Sequence, residues 1–196
     1  TEVLKVNLAS LPSTTTTSEI GGPPTVGDFD NDGLPEIALA SATAYTMVDP
    51  DCASGGAGCL ANYVRWSRPA KDQASSQTGS SLFDFESDGK VEAVYADECF
   101  LRIYDGESGE VLFSQYRSSC TWQENAVIAD PDRDTRTEII VNSNLNCNVD
   151  CTGDPGPDGG AVDPIHPGAR CEGPEDCISG NCDAGFCRCE TQLDCG

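Results

Sequence analysis

An acidic loop pattern that occurs three times constrains this chain more than any other feature of its sequence. Loop 1 is Asp28-Phe-Asp-Asn-Asp-Gly-Leu-Pro-Glu36, loop 2 is Asp84-Phe-Glu-Ser-Asp-Gly-Lys-Val-Glu92, and loop 3 is Asp130-Pro-Asp-Arg-Asp-Thr-Arg-Thr-Glu138. Each loop places acidic side chains at positions 1, 3, 5 and 9. Clustered carboxylates repel one another unless a cation compensates their charge. The pattern therefore predicts three metal-binding loops.

The chemistry of these side chains favours calcium. Ca²⁺ takes about six to eight oxygen ligands, and a backbone carbonyl at position 7 can supply one of them. The ligands predicted in loops 1 and 2 are Asp28, Asp30, Asp32, Leu34 and Glu36, then Asp84, Glu86, Asp88, Lys90 and Glu92. The corresponding set in loop 3 is Asp130, Asp132, Asp134, Arg136 and Glu138. We expect Ca²⁺ in loops 1 and 2.

Loop 3 departs from the pattern and leaves two occupants open. The β-branched Thr135 stands where the other loops have glycine and where a positive φ is expected. Arg133 and Arg136 also lie inside this loop. A guanidinium paired with Asp132 or Asp134 could take the place of the cation, so loop 3 is predicted to hold either Ca²⁺ or such a pair.

The segments around the loops predict an all-β fold. An EF-hand loop begins alike, but it requires Glu at position 12 and a helix on each side. Position 12 is Leu39 in the first copy, Tyr95 in the second and Val141 in the third. The residues after each loop are apolar and partly β-branched, which is typical of buried strands. Each loop is therefore predicted to join two strands; residues 3–9 are predicted as a further strand, and Trp66 as a core residue.

Acidic loops of the form Asp-x-Asp-x-Asp-Gly-x-x-Glu between strands, returning about every fifty residues, resemble the FG-GAP (VCBS-type) repeats of integrin-like β-propellers. The resemblance covers roughly residues 20–145 and implies a partial propeller of about three blades with one calcium loop each. The phrase Leu101-Arg-Ile-Tyr-Asp-Gly-x-x-Gly109 is similar to outer-strand hairpins of secreted bacterial propellers. Known propellers close with roughly four to eight blades. The expected partners are therefore further blades in the parent chain or other copies of this chain.

The cysteines divide the chain into two predicted domains. Residues 1–146 would form the propeller blades, and residues 147–196, with eight of the twelve cysteines, would form a small module held by disulfides instead of a core. The segment Asp176-Cys-x-Ser-Gly-x-Cys182 resembles Cys-rich segments of large extracellular proteins of myxobacteria. Six cysteines allow many pairings, so the pairing in this module stays open.

Two disulfides are predicted in the blades. Cys52 and Cys59 are close in sequence, so a local bridge is the simplest pairing. Cys99 and Cys120 flank the hairpin of the second blade, with no other cysteines nearby in sequence. If Tyr104 faces Val111, then residue 99 faces 116, and a bridge from 99 to 120 requires a bulge or a bent strand end.

Charge and composition limit the partners. Thirty-three acidic and eleven basic residues give a net charge of −22, which argues against nucleic acid and anionic membrane surfaces. No run of about eighteen apolar residues occurs, so no membrane span is expected. Twelve cysteines indicate an oxidising compartment, and hence a secreted or cell-surface protein.

The inventory of chemically active residues does not favour an enzyme. His166 is the only histidine and lies in a turn-like stretch, and no nucleophile motif or phosphate-binding glycine loop is present. We therefore expect a non-catalytic, calcium-stabilised extracellular module with a structural, adhesion or binding role at a cell surface or in a matrix, and with a glycan or a surface protein as ligand. The alternative is an accessory or catalytic portion of a secreted polysaccharide-degrading enzyme, because such enzymes can carry similar propellers.

Overall fold

The computed structural model describes residues 4–11, 21–61, 63–73, 76–117, 119 and 124–143, with the backbone of 182–183 and 186–187. The regular secondary structure of these residues consists of strands, apart from two 3-10 turns at Leu8–Ser10 and Pro50–Ser54. The strands are β1 Thr25–Gly27, β2 Glu36–Ala40, β3 Ala44–Val48, β4 Val64–Pro69, β5 Ser80–Phe83, β6 Glu92–Ala96, β7 Phe100–Asp105, β8 Val111–Tyr116, β9 Val127–Ala129, β10 Glu138–Ile140, β11 Cys182–Asp183 and β12 Phe186–Cys187. The all-β prediction is confirmed for this part of the chain.

The strands pair with their neighbours in sequence. Strands β1 to β4 form the first sheet and β5 to β8 the second, each an antiparallel meander in sequence order. Strands β9 and β10 form a third, two-stranded hairpin, and β11 pairs with β12. Loops 1, 2 and 3 connect β1 to β2, β5 to β6 and β9 to β10. The prediction that each acidic loop joins two strands is therefore confirmed.

The two large sheets pack face to face, and they do so head to tail. Tyr45 of β3 lies opposite Ala40 and therefore on the same face of the first sheet. Its ring stacks on that of Tyr95 of β6, with centroids 4.5 Å apart and an interplanar angle of 6°. Tyr95 is position 12 of the second repeat, and the equivalent residue of the first repeat is Leu39. Because successive side chains of a strand point to opposite faces, Leu39 and Ala40 lie on opposite faces of β2. The face of the first sheet that carries Tyr45 thus packs against the face of the second sheet that carries Tyr95. In the first sheet, the equivalent of that second face is the one opposite Tyr45.

Aromatic side chains fill the space between the sheets. Trp66 of β4 is 3% exposed, and its ring lies 5.9 Å from that of Tyr104 of β7. The indole N–H donates to the carbonyl of Gly106 in the second sheet at 2.8 Å. The Tyr45 hydroxyl donates to Ser80 Oγ at 2.8 Å, so the polar atoms of Trp66 and Tyr45 are satisfied across the junction. The prediction that Trp66 is a core residue is confirmed.

The first strands of the three units lie side by side. Strand β5 contacts β1 on one side and β9 on the other. The Thr25 hydroxyl donates to the carbonyl of Ser80 at 2.9 Å, and the Ser81 hydroxyl donates to the carbonyl of Ala126. The described residues form three such units in a row and no closed ring.

The N-terminal segment differs from the prediction. Residues 3–9 were expected to form a strand, but the described part of this segment ends in the 3-10 turn at Leu8–Ser10. Asn7 caps that turn, because its side-chain oxygen accepts the N–H of Ala9 at 3.2 Å. A short polar side chain that bonds its local backbone competes with strand pairing.

The disulfide predictions are confirmed where the structure describes them. Cys52 and Cys59 are bonded. The predicted bridge from 99 to 120 required a bulge or a bent strand end; Tyr104 faces Val111, and a register shift lies between Ile103 and Tyr104. Cys99 is also disulfide-bonded, but its predicted partner Cys120 lies outside the described residues. The division at residue 146 and the pairing of the last six cysteines lie outside them too.

Candidate metal centres

The three acidic loops share one backbone conformation. Positions 4 and 6 of every loop have a positive φ: Asn31 60°, Ser87 59°, Arg133 63°, then Gly33 90°, Gly89 91° and Thr135 76°. Thr135 thus adopts the conformation that glycine supplies in the other loops, although left-handed backbone costs a side-chain-bearing residue about 1–2 kcal/mol. Loop 3 therefore keeps the shape of loops 1 and 2 in spite of its missing glycine.

One hydrogen-bond pattern folds each loop. In loop 1 the carboxylate of Asp28 accepts the N–H groups of Asp32 at 3.0 Å and Gly33 at 2.9 Å. Asp84 accepts the corresponding groups in loop 2 at 3.1 and 2.9 Å, and Asp130 those in loop 3 at 3.1 and 3.0 Å. In all three loops the position 5 carboxylate accepts the N–H of position 7, at 2.7, 2.9 and 2.8 Å. These bonds turn the carboxylates toward the inside of the loop.

Three carboxylates converge in every loop. The groups whose oxygens lie within 4.8 Å of one another are Asp28, Asp30 and Asp32; Asp84, Glu86 and Glu92; and Asp130, Asp132 and Glu138. Each group could hold a metal ion, and an all-oxygen donor set suits a hard divalent cation. The remaining predicted ligands lie in the same loops but outside these groups: Leu34, Glu36, Asp88, Lys90, Asp134 and Arg136. Their role as ligands stays a prediction.

The glutamate at position 9 distinguishes loop 3 from the others. Glu36 Oε2 accepts the N–H of Phe29 at 2.7 Å, and Glu92 Oε2 accepts that of Phe85 at 2.9 Å. Position 2 of loop 3 is Pro131, which has no N–H to donate. Among the described residues, the buried Glu138 Oε2 accordingly has no hydrogen-bond partner. A buried carboxylate oxygen without a donor is well suited to a cation, so loop 3 fits a metal ion.

The pKa values show how unfavourable the negative charge is without a cation. Burial raises the pKa of Glu36 to about 7 against the opposing Phe29 N–H, and Asp30, Asp32 and Asp49 raise it further. The pKa of Glu92 is raised by burial and by Glu86. That of Asp30 is raised by burial and by Asp32. A bound cation would reverse these effects.

Charged residues outside the repeat also surround loop 1. Asp49, at the end of β3, and Asp51, in the following 3-10 turn, add negative charge beside Asp30 and Asp32. Arg65 of β4 lies 3.7 Å from Asp30. These three residues carry no signal in the sequence, because only the meander places the β3–β4 connection at the same end of the sheet as loop 1.

The arginines of loop 3 do not occupy its carboxylates. Both Arg133 and Arg136 are exposed. Within the described residues, no ion pair joins either one to Asp132 or Asp134. The guanidinium that the sequence analysis gave as an alternative occupant is therefore absent from this cluster. One of its three carboxylates, Glu138, keeps an oxygen without a hydrogen-bond partner among the described residues.

Comparison with solved structures gives a structural similarity to a protein of the biofilm matrix. No protein-family model matches the chain, and no curated protein matches it. Among solved structures, it is similar to the V. cholerae biofilm matrix protein Bap1, at 30% sequence identity and a TM-score of 0.49. The match covers 58% of this chain and 17% of that chain, so the chain spans about a sixth of that protein's length. The FG-GAP resemblance has no family match and stays a prediction.

A search of the described residues for membrane spans finds no helix that is long and apolar enough to cross a bilayer.

Proposed function

We propose that the chain is a non-catalytic extracellular module that Ca²⁺ stabilises, with a structural or adhesive role at a cell surface or in a matrix. The observation that carries this proposal is the repetition of one loop geometry at three places. Each loop connects the first two strands of its own sheet, so an ion bound there would hold those strands together. Three equivalent carboxylate clusters are better suited to that task than to a single reaction.

Calcium is the cation that these loops would suit best. The donors are carboxylates and backbone carbonyls, and Ca²⁺ accepts about six to eight such oxygens in irregular geometry, whereas Mg²⁺ demands a near-ideal octahedron and keeps several waters. Calcium-binding modules outside cells have Kd values of about 10⁻⁴–10⁻³ M. At a free concentration of about ten times Kd, each occupied loop would stabilise the fold by about 1.4 kcal/mol.

The disulfides support an extracellular location. Cys52 and Cys59 are bonded, and Cys99 is bonded as well. Such bonds persist in oxidising compartments and are rare in the cytosol.

The sheet packing supports a partial propeller. Because the sheets stack head to tail, the same junction could be repeated at both ends of the row. Val127 and Ile140 of the third hairpin are 55% and 48% exposed, and Val26 of β1 is 60% exposed. Further blades in the parent chain, or other copies of this chain, would cover these apolar residues.

Calcium titration of matched variants tests the metal. Asp28→Asn, Asp84→Asn and Asp130→Asn remove the carboxylate charge that organises each loop, and Glu110→Gln removes the charge of an exposed residue outside the loops. We expect calcium to raise the thermal midpoint of the wild type and of Glu110→Gln, but not of the triple loop variant. Equal midpoints of the wild type in calcium and in chelator would overturn the calcium proposal.

Two further measurements test the module and its assembly. Glycan or protein binding without turnover supports the module, whereas polysaccharide cleavage that a carboxylate substitution outside the loops abolishes would favour the enzyme. Sedimentation at micromolar concentration in calcium tests the partial propeller. A compact 20.6 kDa monomer that binds no hydrophobic dye would contradict it.

A further inference from the structure

We propose that Glu107, in the β7–β8 turn of the second sheet, sets the cation affinity of loops 1 and 2. Its carboxylate holds one basic side chain beside each loop and so keeps two positive charges partly away from the metal-binding carboxylates. This inference rests on the proposed function of the loops as cation sites. Glu107 belongs to neither loop, and the acidic repeat gives no indication of it.

The first basic side chain is Arg65, which lies between loop 1 and Glu107. Its Nη2 is 3.7 Å from Asp30 Oδ2 and 3.3 Å from Glu107 Oε1. Its Nη1 is 3.6 Å from Asp49 Oδ2, and its Nε donates to the main-chain carbonyl of Glu107 at 3.4 Å. The guanidinium is thus shared between a carboxylate of the loop 1 cluster and two carboxylates outside it.

The second basic side chain is Lys90, which is position 7 of loop 2. Its Nζ lies 2.6 Å from Glu107 Oε2. Asp88 of loop 2 and Asp105, the last residue of β7, also attract this ammonium group. One oxygen of Glu107 therefore pairs with the cation beside loop 1, and the other with the cation beside loop 2.

Removing the charge of Glu107 redistributes both cations. Arg65 would keep Asp30 and Asp49 as its partners, while Lys90 would be left with Asp88 and Asp105. A positive charge held against a carboxylate opposes a metal ion at the same carboxylate. Both loops should then bind a cation more weakly. Loop 3 provides an internal reference, because neither Arg65, Lys90 nor Glu107 forms an ion pair with it among the described residues.

The test measures the calcium affinity of each loop separately. Three background variants are made, and each leaves a different loop intact. Each carries two of the three substitutions Asp28→Asn, Asp84→Asn and Asp130→Asn. Glu107→Gln is added to each background, and calcium binding is measured by calorimetry. We expect roughly two- to five-fold weaker binding at loops 1 and 2, the range of partly exposed charge pairs, and no change at loop 3. The 41% exposure of the Glu107 side chain means that this substitution should leave the fold intact.

A double-mutant cycle identifies the path of the effect. Arg65→Met should tighten loop 1, and in that background Glu107→Gln should no longer weaken loop 1 while it still weakens loop 2. Lys90→Met should tighten calcium binding at loop 2, and in that background Glu107→Gln should no longer weaken loop 2 while it still weakens loop 1. The matched control Glu110→Gln removes the same charge three residues along the chain and should leave the calcium affinity of every loop unchanged. The effects of Glu107→Gln should become smaller at high salt.

The outcomes separate the inference from the proposed function. No calcium binding by the wild type would overturn the calcium function together with this inference. If the wild type binds calcium, three results would overturn the inference alone. Glu107→Gln could weaken binding equally at all three loops, strengthen binding at loops 1 and 2, or leave binding at loops 1 and 2 unchanged.

Discussion

Truncation of Tyr45 tests whether the two large sheets form one cooperative unit. Tyr45 is fully buried between the sheets, stacked on Tyr95 and 5.6 Å from the ring of Trp66. Tyr45→Ala would leave a cavity at the centre of this cluster and remove the hydrogen bond to Ser80. We expect the variant to destabilise both sheets together rather than the first sheet alone.

The size of the effect follows from the contacts. Replacing a large buried aromatic ring by alanine costs about 3–5 kcal/mol, and the lost hydroxyl hydrogen bond costs about 0.5–1.5 kcal/mol. The expected loss of about 4–6 kcal/mol is a large part of the about 5–15 kcal/mol by which domains are usually stable. Tyr45→Phe keeps the ring and should lose only the hydroxyl contribution, because Ser80 Oγ retains the Thr25 hydroxyl as partner at 2.8 Å.

Urea unfolding in calcium provides the assay. Circular dichroism follows the strands. With the second tryptophan, Trp122, replaced by Phe in all variants, the fluorescence of Trp66, whose N–H bonds to the second sheet, follows the junction. Coincident transitions are expected in the wild type. Leu112→Ala, at a side chain that is 51% exposed, is the control and should change the free energy of unfolding by at most about 0.5 kcal/mol. A loss below about 2 kcal/mol for Tyr45→Ala, well under the usual cost of aromatic truncation, would refute the shared core.

Three further predictions concern a loop carboxylate, a turn glycine and a disulfide. In calcium, Asp30→Ala should lower stability by about 1–2 kcal/mol and more than Asp132→Ala, since Asp30 is the less exposed of the two predicted ligands; equal thermal midpoints would contradict this. Gly109→Ala should cost about 2–3 kcal/mol in urea unfolding, because φ is 69° and the added Cβ would lie 2.5 Å from the facing indole ring; a loss below about 1 kcal/mol would mean that the ring moves aside. Replacing Cys52 and Cys59 together by Ser should cost about 2.5 kcal/mol, the chain entropy of so short a loop, and an unchanged urea midpoint would argue against it.

The strands and loop conformations could be predicted because local rules agree there. The hairpin phrase from Leu101 to Gly109 indicated β7 and β8, and the structure pairs Tyr104 with Val111 as assumed there. The missing glycine at Thr135 did not change the backbone conformation of loop 3. The carboxylate of Asp130 binds two loop N–H groups and holds Thr135 at a φ that it would not choose alone.

The features that the sequence did not predict depend on contacts between distant residues. Arg65 and Glu107 meet across the junction of two sheets, and no local pattern connects them. Pro131 did carry a readable signal, because a residue without an N–H at position 2 cannot satisfy Glu138. The strand predicted over residues 3–9 was wrong because the side chain of Asn7 accepts the N–H of Ala9 and so favours a local turn over strand pairing.

The head-to-tail packing of the sheets has an evolutionary consequence. Tyr45 of the first unit meets Tyr95 of the second, and the two residues belong to opposite faces that both four-stranded sheets carry. A tandem duplication of one unit in the gene would therefore bring both halves of a junction with it, and no existing contact would have to change. Such a fold can be lengthened or shortened by recombination in whole units, while point mutations adjust each loop separately.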